Sequence, residues 1–330
     1  MILVLRALGV GDLAAGVPAL RGLRAAFPGR PLALVTPAWL GPLVRLIGGV
    51  DQLVPLDGLD RPLPSLPPVD VAVNLHGRGP ESTALLRTLH PRSLWAFGED
   101  PEWTDDEHEV HRWCRMLDWY GVRTDPADLD LAVPRVPVEA GVTIVHPGAK
   151  SPSRRWPPDR FAAVARTLTA QGHRVVITGS AAEKDLGVRV ARAAGLPTTA
   201  VLAGRTGLAE LAALVAHARL LISGDTGIAH LATAYRTPSV TLFGPMSPAR
   251  WGPPDRPWHH PIWHGTRSEP GDRAGPGVHP ALLAVGADEV LAAAEQVSAC
   301  RPRPAPSPAG RPARRGRPAW TADAAFTRRR

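Results

Sequence analysis

Residues 2–24 read ILVLRALGVGDLAAGVPALRGLR, and the turn inside them, Gly9-Val10-Gly11-Asp12-Leu13-Ala14, decides the fold. A short apolar strand, a glycine-rich turn and a helix are the parts of a dinucleotide-binding fingerprint, and the spacing fits its Gly-x-Gly-x-x-Ala form. Two features weigh against a dinucleotide. Asp12 puts an anion where a pyrophosphate would approach. The second strand then ends at Val35-Thr36-Pro37, with no carboxylate for a ribose hydroxyl about 20 positions on. Aspartate is also a preferred N-cap, so Asp12 is expected to precede the first helical residue. A cap at a cleft mouth still presents its carboxylate.

Outward from this turn the chain alternates strands and helices. Residues 13–26 carry Leu13, Val17, Leu20 and Leu23 on one helical stripe, and LALVTP follows the Pro28-Gly29 break as a second strand. VDVAVNLHG (69–77) reads as a strand with Val71 and Val73 buried, after a Pro-rich loop. The segment 106–122, DEHEVHRWCRMLDWYGV, reads as a helix with Val110, Trp113, Met116 and Leu117 inward and Glu109 and Arg112 on its polar side.

Beyond a proline- and acid-rich connector (123–140) the pattern restarts. VTIVHPG, HRVVITGS, RLLISGD and SVTLFGP are strands, separated by helices over 159–171, 183–195, 207–218 and 227–235. Strands alternating with such helices predict parallel sheets. The expected architecture is α/β: two Rossmann-like domains facing a cleft, 1–138 and 139–298, followed by a Pro/Arg-rich tail (299–330). Ligands of such sheets bind at the carboxyl ends of the strands.

Bulk composition fits this picture. The chain has 330 residues, 44% of them apolar, which is long enough for two ordinary cores. Cys114 and Cys300 form no disulfide framework, which suits a reducing compartment. The apolar run at residues 2–5 is too short for a signal peptide, and no segment approaches the roughly 20 apolar residues of a membrane span. A soluble cytoplasmic protein is expected. The net charge is +8, and residues 301–330 hold nine arginines against one aspartate, so the remainder is neutral. The tail therefore reads as a disordered, solvated extension, with salt-sensitive binding to nucleic acid or acidic lipid as its other reading.

Three loops carry candidate chemistry. The first is the Asp12 turn. The second, HPGAKSPSRRWP (146–157), leaves a strand with Lys150, Arg154 and Arg155, and guanidinium groups pair well with phosphate oxygens. Taken alone it could be a solvated basic loop. The third, SGDTGIAHLA (223–232), ends a strand and opens a helix at Asp225-Thr226-Gly227, whose free amides and positive dipole end form an anion site. Asp225 as a simple cap and His230 as an ordinary helix histidine are the structural alternatives.

These blocks in this order resemble glycosyltransferase family 9, the heptosyltransferase-like enzymes. The resemblance covers most of residues 1–298, through LVLRALGVGDLAAGVPALRGLRAAFP, HEVHRWCRMLDWYGV, VHPGAKSPSRRWPPDRFAAVA, VVITGSAAEKDL and LISGDTGIAHLATAYRTPSVTLFGPMSPARWGP. The last block, with Asp-Thr-Gly, His230, Phe-Gly-Pro and Pro-x-x-Trp-Gly-Pro, is the most specific.

The resemblance implies a GT-B fold, with acceptor bound by the first domain and nucleotide-sugar donor by the second. It also implies inverting transfer without a metal, and no cofactor beyond the donor. Asp12 matches the position of the proposed general base, with Arg6 and Gly11 on the acceptor side. Lys150, Arg154 and Arg155 fall to the donor phosphates, Glu183 to the ribose, Thr226 and Gly227 to the phosphate-binding helix start, Asp225 and His230 to the donor side. Domain closure would exclude water and suppress donor hydrolysis.

Expected partners are a nucleotide-sugar donor and a glycan, lipid-linked glycan or small-molecule acceptor. No nucleic acid partner is expected; a monomer is, with room for peripheral association at the inner membrane face. Two departures leave the sugar and acceptor open: Ala7-Leu8-Gly9-Val10 replaces the family's usual serines, and Arg154 stands where lysine is common. The rival readings are a nucleotide-sugar epimerase and a non-catalytic sugar-binding relative.

Overall fold

The computed structural model describes residues 1–269 and 277–300. The expected tail lies, from residue 301 on, outside the described residues. The described chain divides into two compact units, Met1–Ala132 and a second that begins at Val133.

Unit 1 runs β1 (Ile2–Leu5), α1 (Val10–Ala15), α2 (Val17–Ala26), β2 (Leu32–Thr36), α3 (Gly41–Ile47), β3 (Gln52–Pro55), β4 (Val71–Asn74), α4 (Glu81–Arg87), β5 (Ser93–Trp95) and α5 (Glu109–Trp119). Its sheet is parallel in every pairing, in the order β3-β2-β1-β4-β5. The central strands are buried along their whole length, which is why they read as continuous apolar runs. One core cluster gathers Leu3, Leu5, Val35, Val54 and Leu86. Each such side chain contributes about 1.5–3 kcal/mol when taken from water.

Unit 2 runs β6 (Thr143–His146), α6 (Pro158–Ala170), β7 (Val175–Ile177), α7 (Lys184–Ala194), α8 (Leu208–His217), β8 (Leu220–Gly224), α9 (Gly227–Tyr235), β9 (Ser239–Leu242), α10 (Pro248–Trp251), β10 (His259–Ile262), α11 (Pro280–Leu283) and α12 (Ala287–Ala299). Its sheet, again parallel, has the order β10-β9-β8-β6-β7. Trp156 and Phe161 pack edge to face in its core, with ring centroids 4.9 Å apart.

In each sheet the chain starts at an interior strand and extends to both sides of it. The direction reverses between β1 and β4 in unit 1 and between β6 and β8 in unit 2. Loops leaving neighbouring strands diverge there, which opens the crevice where such sheets take ligands.

The first helix departs from its sequence expectation in two ways. It begins at Val10 with Gly9 as its N-cap, so Asp12 is not the cap but the third helical residue, accepting the Gly9 N–H through Oδ2 at 3.1 Å. The expected continuous helix 13–26 is also broken at Gly16. Pro18 has no N–H to continue the ladder. A Cβ at Gly16 would lie 3.0 Å from Arg6 Cδ and Nε, so glycine lets that side chain pass without shifting. Among the described residues no helix is long and apolar enough to cross a membrane.

Candidate active site

Each unit concentrates its candidate residues at its own reversal point. In unit 1, Arg6 leaves the end of β1 and is completely buried. Its Nε donates to the Asp12 carbonyl oxygen at 2.5 Å, one terminal nitrogen donates to the Leu75 carbonyl just past β4, and the other reaches Glu109 Oε1 at 3.2 Å. One guanidinium thus ties the turn after β1 to the loop after β4 and to α5. Gly11 lies in the first turn of α1 beside Asp12.

Glu109 and Arg112, expected on the polar side of their helix, are instead buried. Glu109 also accepts the Trp113 indole N–H at 2.7 Å, and its other oxygen pairs with Arg112. Arg112 in turn donates to the carbonyls of Thr104, Asp105 and Glu107, fixing the chain before α5. A buried charge is tolerated only when paired and hydrogen-bonded. The counter-charges here come from β1 and from one turn along α5. A pairing across 103 residues of sequence overrides the local polarity pattern.

The Asp12 carboxylate is half-buried. Burial raises its pKa above the ordinary carboxylate value, the Arg6 charge and the Gly9 N–H oppose the rise, and Glu109 adds to it. Glu109 moves the other way. Burial alone would raise its pKa, but Arg6, Arg112 and the Trp113 N–H hold it below the usual range. One carboxyl at this end of the sheet is thus basic and the other firmly ionised, a separation that marks distinct roles. His76, past the end of β4, is pushed down to about 4 by burial and by Arg6, and stays neutral at physiological pH.

In unit 2 the loop after β6 and the loop after β8 meet. Arg154 ends a short 3₁₀ turn, Pro152–Arg154, and its guanidinium lies 3.7 Å from the Asp225 carboxylate. Asp225 is buried, and its N–H donates to Leu242 O at 3.0 Å. Thr226 is the N-cap of α9 and Gly227 its first residue. The Thr226 side chain makes no capping hydrogen bond, so the first amides of α9 are not satisfied from there. Lys150 sits exposed in the loop after β6. Arg155 turns back, donating Nε to Ala149 O at 2.8 Å. His230, one turn into α9, meets the Trp251 ring edge to face at 5.8 Å.

Glu183 follows β7 and lies against the same loop. Its Oε2 accepts the Ser180 N–H at 2.7 Å and the Ser180 hydroxyl at 2.8 Å. A Cβ at Gly148 would fall 2.1 Å from Glu183 Oε1, so the turn after β6 must be glycine for the carboxylate to occupy this position. Burial works against the Glu183 charge, but the Ser180 groups and Arg155 outweigh it and hold the carboxyl below its ordinary range. His146, at the end of β6, bonds Thr178 Oγ1 through Nδ1 at 2.9 Å and is lowered to about 4 by burial.

Sequence reasoning therefore placed the three loops at strand ends but missed Glu109, Arg112, Trp113, His76 and His146. Arg6 held a usable signal. A guanidinium at the end of an otherwise apolar strand needs a buried acid, and Glu109 stands beside the inward-facing Val110 and one turn before Trp113.

Comparison with known proteins agrees with this layout. Residues 106–264 match the family model for glycosyltransferase family 9 (heptosyltransferase). The chain is 34% identical over 131 residues to lipopolysaccharide heptosyltransferase 3 of Escherichia coli, covering 38% of this chain and 37% of that one. It is 36% identical over 114 residues to lipooligosaccharide heptosyltransferase 2 of Haemophilus influenzae, covering 33% and 32%. The chain thus spans about a third of the length of these curated relatives. In fold it is similar to the solved E. coli ADP-heptose LPS heptosyltransferase II, with a TM-score of 0.71 and 23% identity over 90% of this chain and 98% of the other. The fold is accordingly GT-B, two parallel-sheet α/β units. The segment that is similar to glycosyltransferase family 9, residues 106–264, holds α5 and the paired loops of unit 2.

Proposed function

We propose that the protein is an inverting glycosyltransferase that moves a heptose-like sugar from a nucleoside-diphosphate sugar to a hydroxyl of a glycan, lipid-linked glycan or small-molecule acceptor. The observation that carries this reading is the meeting of Arg154, Asp225 and the N-terminus of α9 at the β6/β8 reversal, inside the family-matched segment. Cations and a helix N-terminus at such a crevice suit a diphosphate. Glu183, anchored by Ser180 beside the same loop, is an acceptor of hydrogen bonds suited to ribose hydroxyls. The name of the E. coli structural relative supports ADP-heptose as the first donor to try.

The chemistry follows from the charges. Asp12 takes the proton of the acceptor hydroxyl as its oxygen attacks the anomeric carbon, and the bond from that carbon to the diphosphate oxygen breaks. Negative charge grows on the departing nucleoside diphosphate, where Arg154, Arg155, Lys150 and the α9 amides stabilise it. That role is one a divalent cation plays elsewhere, so we extend the proposal to transfer without metal or cofactor. Turnover is expected to survive EDTA, and a dependence restored by Mg²⁺ or Mn²⁺ would refute that extension. A lipid-linked acceptor would bring the enzyme to the inner membrane face.

The decisive experiment is a thermal-shift screen against ADP-, GDP-, UDP- and dTDP-sugars, followed by transfer assays with the best ligand. A ligand at a hundred times its Kd stabilises the native state by about 2.7 kcal/mol, a shift of several degrees. One nucleotide class is expected to stand out, with nucleoside diphosphate released only when an acceptor is present. No shift from any of them would sink the proposal. Conversion of donor without acceptor would favour an epimerase.

A further inference from the structure

We propose that Glu109 is a positioning residue for Asp12: by engaging Arg6 it keeps that guanidinium off the Asp12 carboxylate and leaves the carboxylate able to act as a base. The inference rests on the reading of Asp12 as the general base. Arg6 is wholly buried, so its charge must be met by groups of the protein. Two anions feel its charge, Asp12 and Glu109. The geometry divides them cleanly. All three guanidinium nitrogens are engaged, by the Asp12 main-chain carbonyl, the Leu75 carbonyl and Glu109 Oε1. The Asp12 side chain is left to the Gly9 N–H.

Glu109 is itself held from both sides, by Trp113 Nε1 at 2.7 Å and by Arg112. Arg112 is locked against three carbonyls, and its guanidinium lies 4.2 Å from the centre of the Trp103 ring. The Arg6 guanidinium lies 5.0 Å from the centre of the Trp113 ring. Such a cluster fixes where the Arg6 charge points. Without Glu109, the free end of the fork would have Asp12 as its remaining acid, and a direct pair would make Asp12 a weaker base.

Among the described residues, few charged groups act on Asp12. Arg6 comes from the end of β1, Glu109 from α5 with Arg112 behind it, and the Gly9 amide from the turn itself. His76, from the end of β4, faces Arg6 and is neutral at physiological pH. Removing the Glu109 charge therefore lowers the Asp12 pKa, both by deleting a nearby anion and by releasing Arg6.

The test is the pH dependence of kcat for Glu109→Gln, with Asp12→Asn alongside. The acidic limb, which reports deprotonation of Asp12, is expected to move to lower pH by about one unit. At neutral pH kcat falls about three- to tenfold, as expected of a weaker base, while the KM for donor is unchanged. A limb that stays at its wild-type position overturns the proposal, whatever happens to kcat. If Glu109→Gln does not fold, Glu109→Asp draws the charge back by one methylene and should shift the limb the same way by less; no shift there is equally fatal. Wild-type turnover by Asp12→Asn would instead remove the general-base reading itself.

Discussion

Asp12→Ala is expected to lower kcat by about 10²–10⁴-fold, the range a positioned general base contributes, while nucleotide affinity stays at the wild-type value. The separation of effects follows from location. Asp12 belongs to unit 1, and the residues assigned to the diphosphate belong to unit 2. Truncation also leaves the turn anchored, because Arg6 grips the carbonyl of residue 12 and not its side chain. What is lost structurally is the carboxylate's bond to the Gly9 N–H, a capping interaction worth about 1 kcal/mol. Single-turnover assays with calorimetry on the same samples decide the matter, and turnover near the wild-type rate would end the general-base role.

The pH profile adds a second handle on the same residue. Catalysis requires the ionised carboxylate, so kcat falls as pH drops through the Asp12 pKa. Burial has raised that pKa above the ordinary carboxylate value, which places the fall at higher pH than for an exposed aspartate. An acidic limb at an ordinary exposed-carboxylate position would mean that another group accepts the proton.

How much of this could be read from the sequence depends on how local its cause is. The central strands β1, β2, β4, β6 and β8 are buried throughout and announce themselves as apolar runs. Of the four edge strands, β7 is buried and reads as an apolar run, whereas β3, β5 and β10 have three or four residues each and mix exposure, so they carry no such run. Asp12 was legible as a carboxylate at a helix start, but its exact place was not. The helix starts at Val10, ahead of the aspartate, and Asp12 then bonds back to Gly9 from the third helical position.

Glu109 and Arg112 show the sharper limit. Helical periodicity assigns charged residues to the solvent side by default, and it did so here for two residues that are buried. Their burial is fixed by Arg6, which arrives from another element, and no window of α5 contains it. The Arg154–Asp225 pair lies between these cases. Each residue was legible as a loop candidate, and the strand order brings their loops together at the β6/β8 reversal.

Arg154→Ala is expected to weaken nucleoside-diphosphate binding by more than about a hundredfold, beyond what the loss of one phosphate contact would give. A hydrogen bond to a charged group is worth about 1.5–3 kcal/mol, or roughly ten- to a hundredfold in affinity. The excess comes from Asp225, whose buried carboxylate lies 3.7 Å from the guanidinium and loses a compensating charge next to the α9 amides. An anion exposed in an anion site repels the ligand that the site is built to hold. Folding stability should barely change, because the Arg154 side chain is 22% exposed and such partly solvated pairs contribute about 0–1 kcal/mol. Arg154→Lys keeps the charge without the two-pronged geometry and should fall between wild type and Ala. Calorimetry with the nucleoside diphosphate measures all three, and unchanged affinity in Arg154→Ala removes the residue from the phosphate site. Arg154→Ala combined with Asp225→Asn then tests the cause: with the carboxylate charge gone, part of the affinity should return, a coupling that residues in contact show and independent ones do not. If the double variant binds no better than Arg154→Ala, the Asp225 charge is not what the arginine offsets, and the loss belongs to the phosphate contact alone.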